Sequence, residues 1–267
     1  MNRIRASIST IWAVSGIVIK ELYRRKDFYV LFVVTAVITL MMASVNFFHE
    51  GKIVRYLKDI CLLLIWISAL VIAIATTARQ LPAERESRTI FPLLAKPVTR
   101  GQVVVGKFLG CWLACGIALV VFYVFFGVIC LAKQDHIGFW QYFQAIWLQW
   151  GMLAIVIGMV LLGSVVFSAP SANATICFVA VVSILILGSH LHKIAITEPE
   201  PLSVLLSSLY FLIPHLEWFY AVRDRLVFDQ NLIPWVDCLL ATLYAAAYVA
   251  IFLCGTWMLF RRRVLTT

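Results

Sequence analysis

The sequence predicts an all-α, polytopic integral membrane protein: an N-terminal helix lying along the bilayer surface, then six transmembrane helices. Three observations carry that prediction. Hydrophobic residues make up 63% of the chain and charged residues 13%, where soluble domains carry roughly 45–50% and about 25%. The apolar residues fall into long runs, and roughly 20 apolar residues suffice to cross a bilayer. The Lys and Arg residues collect at the ends of those runs. A chain of 267 residues has room for six such spans and little besides, so a single transmembrane domain over residues 1–267 is expected, with no separate catalytic domain.

The net charge of +9 could suit nucleic acid, but the basic residues are scattered among span ends and form no stripe with aromatic platforms. Anionic lipid headgroups explain them better, so lipid and not nucleic acid is the expected partner. The seven cysteines, Cys61, Cys111, Cys115, Cys130, Cys177, Cys238 and Cys254, lie in or at the ends of apolar runs without zinc-site spacing. They read as small packing residues. The first long apolar run starts at Phe28, after Arg24-Arg25-Lys26, and is too long for the core of a cleavable signal.

Taken in order, residues 4–25 place Ile4, Ile8, Ile11, Trp12, Ile19 and Leu22 near one helical face and Arg5, Ser9, Gly16 and Lys20 largely on the other. That is the pattern of an interfacial helix, with a merely basic leader as the alternative. The first span is Phe28–Phe48, and a polar connection, 49–59, leads to the second, Ile60–Ala78. The third, Phe108–Ala132, opens with Gly106, Gly110 and Gly116, small residues that let a neighbouring helix come close. A brief turn at 133–138 precedes the fourth, Phe143–Phe167, with Gln144 and Gln149 near one end and Gly151, Gly158 and Gly163 further along. After an uncharged turn, 168–174, the fifth span, Ala174–Ser189, is barely long enough to cross. Residues 190–234 read as an external surface or re-entrant segment punctuated by Pro199, Pro201, Pro214 and Pro234, in which 202–213 is either a short helix on the outer leaflet or a plain loop. The last span, Trp235–Phe260, stops at Arg261-Arg262-Arg263.

Residues 79–107 are the longest charged interruption between apolar runs. Pro82 suits the first position of a helix and Glu84 stands four residues before Arg88, which predicts a short amphipathic helix over 82–91. Pro92 and Pro97 break it. Thr99 followed by Gln102 reads as a capping box starting a new helix that runs into the third span. With the N-terminus inside, the cytoplasmic segments hold 15 Lys and Arg and the outer ones 7, which puts both termini and this loop in the cytoplasm. A loop of this kind either only fixes orientation or is the surface through which something outside the bilayer acts on the spans.

Glu84-Arg85-Glu86, Leu93-Leu94, Pro97-Val98-Thr99-Arg100 and Gly106-Lys107 together resemble the signature loop of ABC-2 type permeases, the membrane subunits of ATP-binding-cassette transporters. The chain departs from that pattern at Ser87-Arg88, where the family often has Gly-Thr. Ile19-Lys20-Glu21-Leu22 with Arg24–Asp27, the uncharged turn at 168–174, and 210–219 resemble other parts of the same family. The resemblance implies that the loop docks on an ATPase subunit, through Glu84, Arg85, Glu86, Arg88, Pro97, Arg100 and Lys107. It also implies two permease copies, or this chain with a homologous sister, plus two ATPase subunits that bind ATP and Mg, in a cell (inner) membrane. The expected activity is ATP-driven transport, export being the favoured direction.

The chemistry of the residues agrees with that division of labour. No Gly-x-x-x-x-Gly-Lys-Ser/Thr loop, His-Glu-x-x-His or Gly-x-Ser-x-Gly occurs, so ATP hydrolysis is expected in a partner and this chain is expected not to be an enzyme. The spans carry no acidic or basic residue away from their ends, which disfavours an ion-coupled transporter. His49, His136, His190, His192 and His215 all map to the outer half; interfacial polar residues are the expected reading and a metal-collecting rim the alternative, with no evident carboxylate or thiol cluster to complete a site. The rival reading is a non-transporting membrane anchor or force-transmitting component coupled to an ATPase.

Overall fold

The computed structural model describes residues 2–24, 26–44, 50–82, 99–133, 138–167, 169–197, 203, 210, 213–228 and 231–263. Among them are eight helices and no strand: α1 Asn2–Arg24, α2 Lys26–Ser44, α3 Glu50–Ala78, α4 Arg100–Ala132, α5 Phe139–Val166, α6 Pro170–Thr197, α7 Glu217–Val227 and α8 Trp235–Arg263. Four contain stretches long and apolar enough to cross a membrane: Arg55–Ala78, Arg100–Ala132, Phe139–Val166 and Trp235–Arg261. Shorter apolar helical stretches run over Tyr29–Met41 in α2 and Pro170–Ile186 in α6.

The core is built around α5. Its Met152, Leu153, Ile155, Ile157 and Leu161 are fully buried, and α8, α3, α4, α6 and α7 all pack on it. A helix enclosed by others needs apolar residues all round, which is why α5 shows no polar face. The outer helices turn large apolar residues outward: Val30, Val33 and Val37 on α2, Val120, Val124 and Val128 on α4, Leu239, Leu243 and Ile251 on α8. A soluble monomer does not sustain an apolar surface of that extent. The hydrocarbon of a bilayer does, and the chain is a multi-pass membrane protein.

Several boundaries differ from the sequence reading. The connection expected over 49–59 is helical from Glu50; Lys58 is buried in the fold and Asp59 pairs with Arg223 on α7. α4 starts at Arg100 and runs unbroken for 33 residues, about 50 Å at 1.5 Å per residue, well beyond the hydrocarbon thickness of about 30 Å. The turn expected over 168–174 is helical from Pro170, where a residue without an N–H fits a first turn. Asn173, on that first turn, is fully buried and donates to the Val160 carbonyl of α5 at 3.2 Å. Its side chain fits because position 163 is glycine; a Cβ there would stand 2.3 Å from Asn173 Oδ1. With its start at Pro170 and its end at Thr197, α6 is longer than the expected fifth span. The stretch expected as 190–234 contains α7, and the helix expected over 202–213 lies largely outside the described residues.

Candidate functional site: the base of the 79–107 loop

Of the residues that the loop motif singles out, Glu84, Arg85, Glu86, Arg88 and Pro97 lie outside the described residues. Arg100 and Lys107 are described, and both sit on the first turns of α4. The capping box read from the sequence is present. Thr99 has extended dihedrals (φ −78°, ψ 149°), accepts from the Gln102 amide at 3.4 Å, and its own amide donates to Gln102 Oε1 at 2.9 Å. Two of the amides at the start of α4 that lack intrahelical acceptors are thereby satisfied, and the chain leaving the loop enters α4 in a fixed direction.

Three other helices meet this start. α1 comes close because residues 106 and 110 are glycines on one face. A Cβ at Gly106 would lie 2.9 Å from the Val14 side chain, and one at Gly110 would lie 2.7 Å from Val18 Cβ and 3.0 Å from the Ser15 carbonyl oxygen. Buried Ser15 uses the proximity, its hydroxyl lying 2.8 Å from the Gly106 carbonyl and 3.0 Å from that of Ile11. This is the small-residue packing that the glycine spacing predicted.

α3 ends at the same place. Its last turn leads into a turn where the Gln80 amide donates to the Thr77 carbonyl at 3.1 Å, and Gln80, Leu81 and Pro82 are buried. Lys107 is only 2% exposed and its Nζ donates to the Gln80 carbonyl. The last four carbonyls of a helix have no intrahelical donors, and a cation there is favoured by the helix dipole. α8 is met in the same way. Arg100 Nη1 donates to the Arg261 carbonyl in the last turn of α8 at 3.0 Å, and Gly101 faces the Trp257 ring with a would-be Cβ at 3.6 Å. The two described cations of the motif thus finish the C-terminal ends of two different helices, while the glycines beside them hold a third. Deeper in the bundle Trp112 and Trp150 stack at 4.2 Å, each indole N–H donating to the other residue's carbonyl, at 3.1 and 3.0 Å, which fixes α4 to α5.

The opposite end of the bundle carries polar contacts that the sequence did not announce. The apolar stripe of α7, with Phe219, Val222 and Leu226 following Leu216, is buried against the core. Arg223, at the edge of that stripe, pairs with Asp59 of α3, lies over the Tyr220 ring at 5.1 Å, and bonds the Tyr220 hydroxyl. Gln144 clamps the backbone of Ile233, donating to its carbonyl at 2.9 Å and accepting from its amide at 3.2 Å. His215, the one histidine of the five whose side chain is described, is buried with Nδ1 at 2.9 Å from the Tyr244 hydroxyl. Among the described residues no three His, Cys, Asp or Glu gather as a metal site. The Leu216, Phe219, Val222 and Leu226 spacing was available in the sequence as a sign of α7; the ion pair between residues so far apart had no local sign.

No curated protein matches the chain. A model of the family described as ABC-2 family transporter protein matches residues 12–265, a region that includes most of α1, all the other helices and the whole 79–107 loop. The chain therefore belongs to the ABC-2 transporter family.

Proposed function

We propose that this chain is the membrane-spanning permease subunit of an ATP-binding-cassette transporter, working as an exporter driven by a separate ATPase subunit. In this reading α2, α3, α4, α5, α6 and α8 are the six spans, and α1 lies in the cytoplasmic interface. Both termini and residues 79–107 face the cytoplasm of a cell (inner) membrane. Two permease copies, identical or homologous, form the transport path, and ATP with Mg binds on the ATPase pair. Length supports α2 as a span, since its 19 residues extend about 28 Å, close to the hydrocarbon thickness.

The observation that carries the reading is the construction of the loop base. The segment that resembles an ATPase-docking loop emerges from helix ends tied to α1, α3 and α8. A displacement applied to the loop is delivered to several helices together, which is what alternating access demands of a coupling segment. Glu84 and Glu86 are the proposed outward contacts, with Arg85, Arg88 and Pro97 around them. Arg100 and Lys107 act at the base.

The test is co-expression with candidate ATPase subunits of the same source, followed by purification and reconstitution. Wild type should co-purify with one of them and raise its ATP hydrolysis. Glu84→Gln or Glu86→Gln should abolish the stimulation or the assembly while leaving membrane insertion intact, because loss of one charge near the helix start that the sequence predicts costs only about 0.3–1 kcal/mol. Full assembly and stimulation in both variants and in the double variant would remove these carboxylates from the contact. Stimulated hydrolysis without movement of any cargo would favour the anchor reading. Cysteines placed at Arg88 and His136, in a background without the native cysteines, should label from opposite sides of the membrane.

A further inference from the structure

We propose that Lys107 is a positioning residue that acts from inside the chain, tying the exit of α3 to the entry of α4 so that the loop moves both helices, and α1 with them, as one body. The inference rests on the permease reading above and deepens it. The motif resemblance implies that Lys107 belongs to the surface offered to the ATPase; its burial gives it a different task.

The geometry supplies three reasons. Lys107 is buried to 2% exposure and its Nζ reaches the Gln80 carbonyl, across 27 residues of chain. Its acceptor is itself buried and stands just past the last turn of α3, where helix carbonyls lack partners. Its neighbours on α4, Gly106 and Gly110, are in backbone-close contact with α1. A charged donor on a carbonyl in a water-poor setting makes a stronger tie than a neutral one. The residue is therefore placed where it closes the loop at its neck, between the two spans that the loop connects. Without it, a pull on 83–98 would be absorbed by separation of residues 78–82 from 100–107, and the spans would stay behind.

The tie also explains the order of the motif. A glycine next to the lysine lets α1 approach the same turn of α4 whose ammonium reaches α3, so one turn serves two helix contacts. Arg100 does for α8 what Lys107 does for α3, but from a less enclosed position.

The experiment uses the reconstituted complex of this chain with its ATPase subunit and compares Lys107→Arg, Lys107→Gln and Lys107→Met. Mg-ATP hydrolysis is measured with and without the permease, alongside co-purification and melting temperature. Positioning predicts stimulation that ranks Arg above Gln above Met, with at least about a fivefold loss in Met. Stoichiometric co-purification and the KM for ATP should be unchanged, because the contact surface and the nucleotide site are intact. Hydrogen exchange should rise about tenfold at residues 78–82 and 100–106 in Met, and not at 217–227. A merely structural role would lower the melting temperature and yield without changing the stimulation per assembled complex, and that result overturns the proposal. Should Met not accumulate, the Arg and Gln variants decide, and stimulation equal to wild type in both overturns it. If wild type itself neither binds nor stimulates the ATPase, the permease reading fails, a different outcome from wild-type stimulation that the Lys107 variants leave untouched.

Discussion

The two ends of the bundle are held together by different kinds of contact. At the α1 end backbones meet where glycines 106 and 110 bring α1 against α4, and two cationic side chains reach carbonyls, that of Gln80 just past α3 and that of Arg261 in the last turn of α8. At the α7 end several of the contacts are between side chains, with Arg223 on Asp59, His215 on Tyr244, and rings such as Trp66 and Tyr220 at 5.3 Å. Backbone-to-backbone contact has no rotamer to absorb a displacement, so it passes movement from helix to helix. Side-chain contacts absorb movement by changing rotamer, which suits an end that opens and closes. In the proposed permease the glycine contacts of the first end suit transmission, and the side-chain contacts of the second suit yielding.

The most severe way to break the comparison is to insert a side chain where backbones touch. Gly110→Leu would drive carbon atoms into Ser15, whose backbone already lies 3.0–3.1 Å from the position of a Cβ. Overpacking costs about 1–3 kcal/mol where side chains can give way, and more where the obstacle is backbone; a loss of at least about 3 kcal/mol is expected. The control is Gly16→Ala on α1, where nothing lies within 4 Å and a helix-interior alanine is favoured by about 0.5–1 kcal/mol. Melting of the purified protein in detergent should separate the two variants widely. Equal melting temperatures would mean that α1 is not seated on α4.

Which parts were legible in the sequence follows from how far apart the partners lie. Thr99 and Gln102 are three residues apart, and Gly106 and Gly110 four, so a local pattern carried both the helix start and the close approach. The four long apolar helices were legible as apolar runs, because a bilayer imposes length and composition on each one separately. The helical 50–59 segment was not, since Lys58 and Asp59 look like loop residues until their burial and pairing are seen. Gln144 and Ile233 are 89 residues apart and Asp59 and Arg223 are 164 apart, and no local spacing announces such pairs. Lys107 was found as a residue of interest and its direction was not, because a motif names residues without saying which way a side chain points. α7 was missed although its apolar spacing was present, because eleven residues between prolines look like surface when each element is judged by whether it can span.

A moderate effect is expected at the α7 end, and its asymmetry tests whether side chains rather than backbones hold it. The Asp59 side chain is 45% exposed and that of Arg223 10%, so the guanidinium depends on the pair more than the carboxylate does. Asp59→Asn leaves a largely buried cation whose Nε already lacks a partner, and should cost about 1–2 kcal/mol, a hydrogen bond to a charged group discounted for solvent on Asp59. Arg223→Met removes the buried charge and leaves a carboxylate that water can solvate, at a cost below about 1 kcal/mol. In the Arg223→Met background, Asp59→Asn should cost almost nothing. A double-mutant cycle read by melting temperature checks this, and two equal single-variant losses that add would show that the pair is not coupled.

The smallest effect is expected at Arg100, and it sharpens the contrast within the α1 end itself. Arg100 and Lys107 make the same kind of contact, a cation on a carbonyl at the end of another helix, yet the Arg100 bond is exposed while that of Lys107 is buried. Exposed charge at a helix terminus is worth about 0.3–1 kcal/mol and weakens as salt rises. Arg100→Gln should therefore lower the melting temperature by no more than about 2–4 °C, the shift that about 1 kcal/mol produces in a chain of this size. Most of that difference should vanish in 1 M salt, where the Debye length falls to about 3 Å. The neutral Lys107→Met variant should show no comparable relief by salt, because ions do not reach a contact whose two residues, Lys107 and Gln80, are both buried. Identical salt responses of the two variants would place both cations in water, and the enclosed neck of the loop would then be lost as the feature that sets this end of the bundle apart.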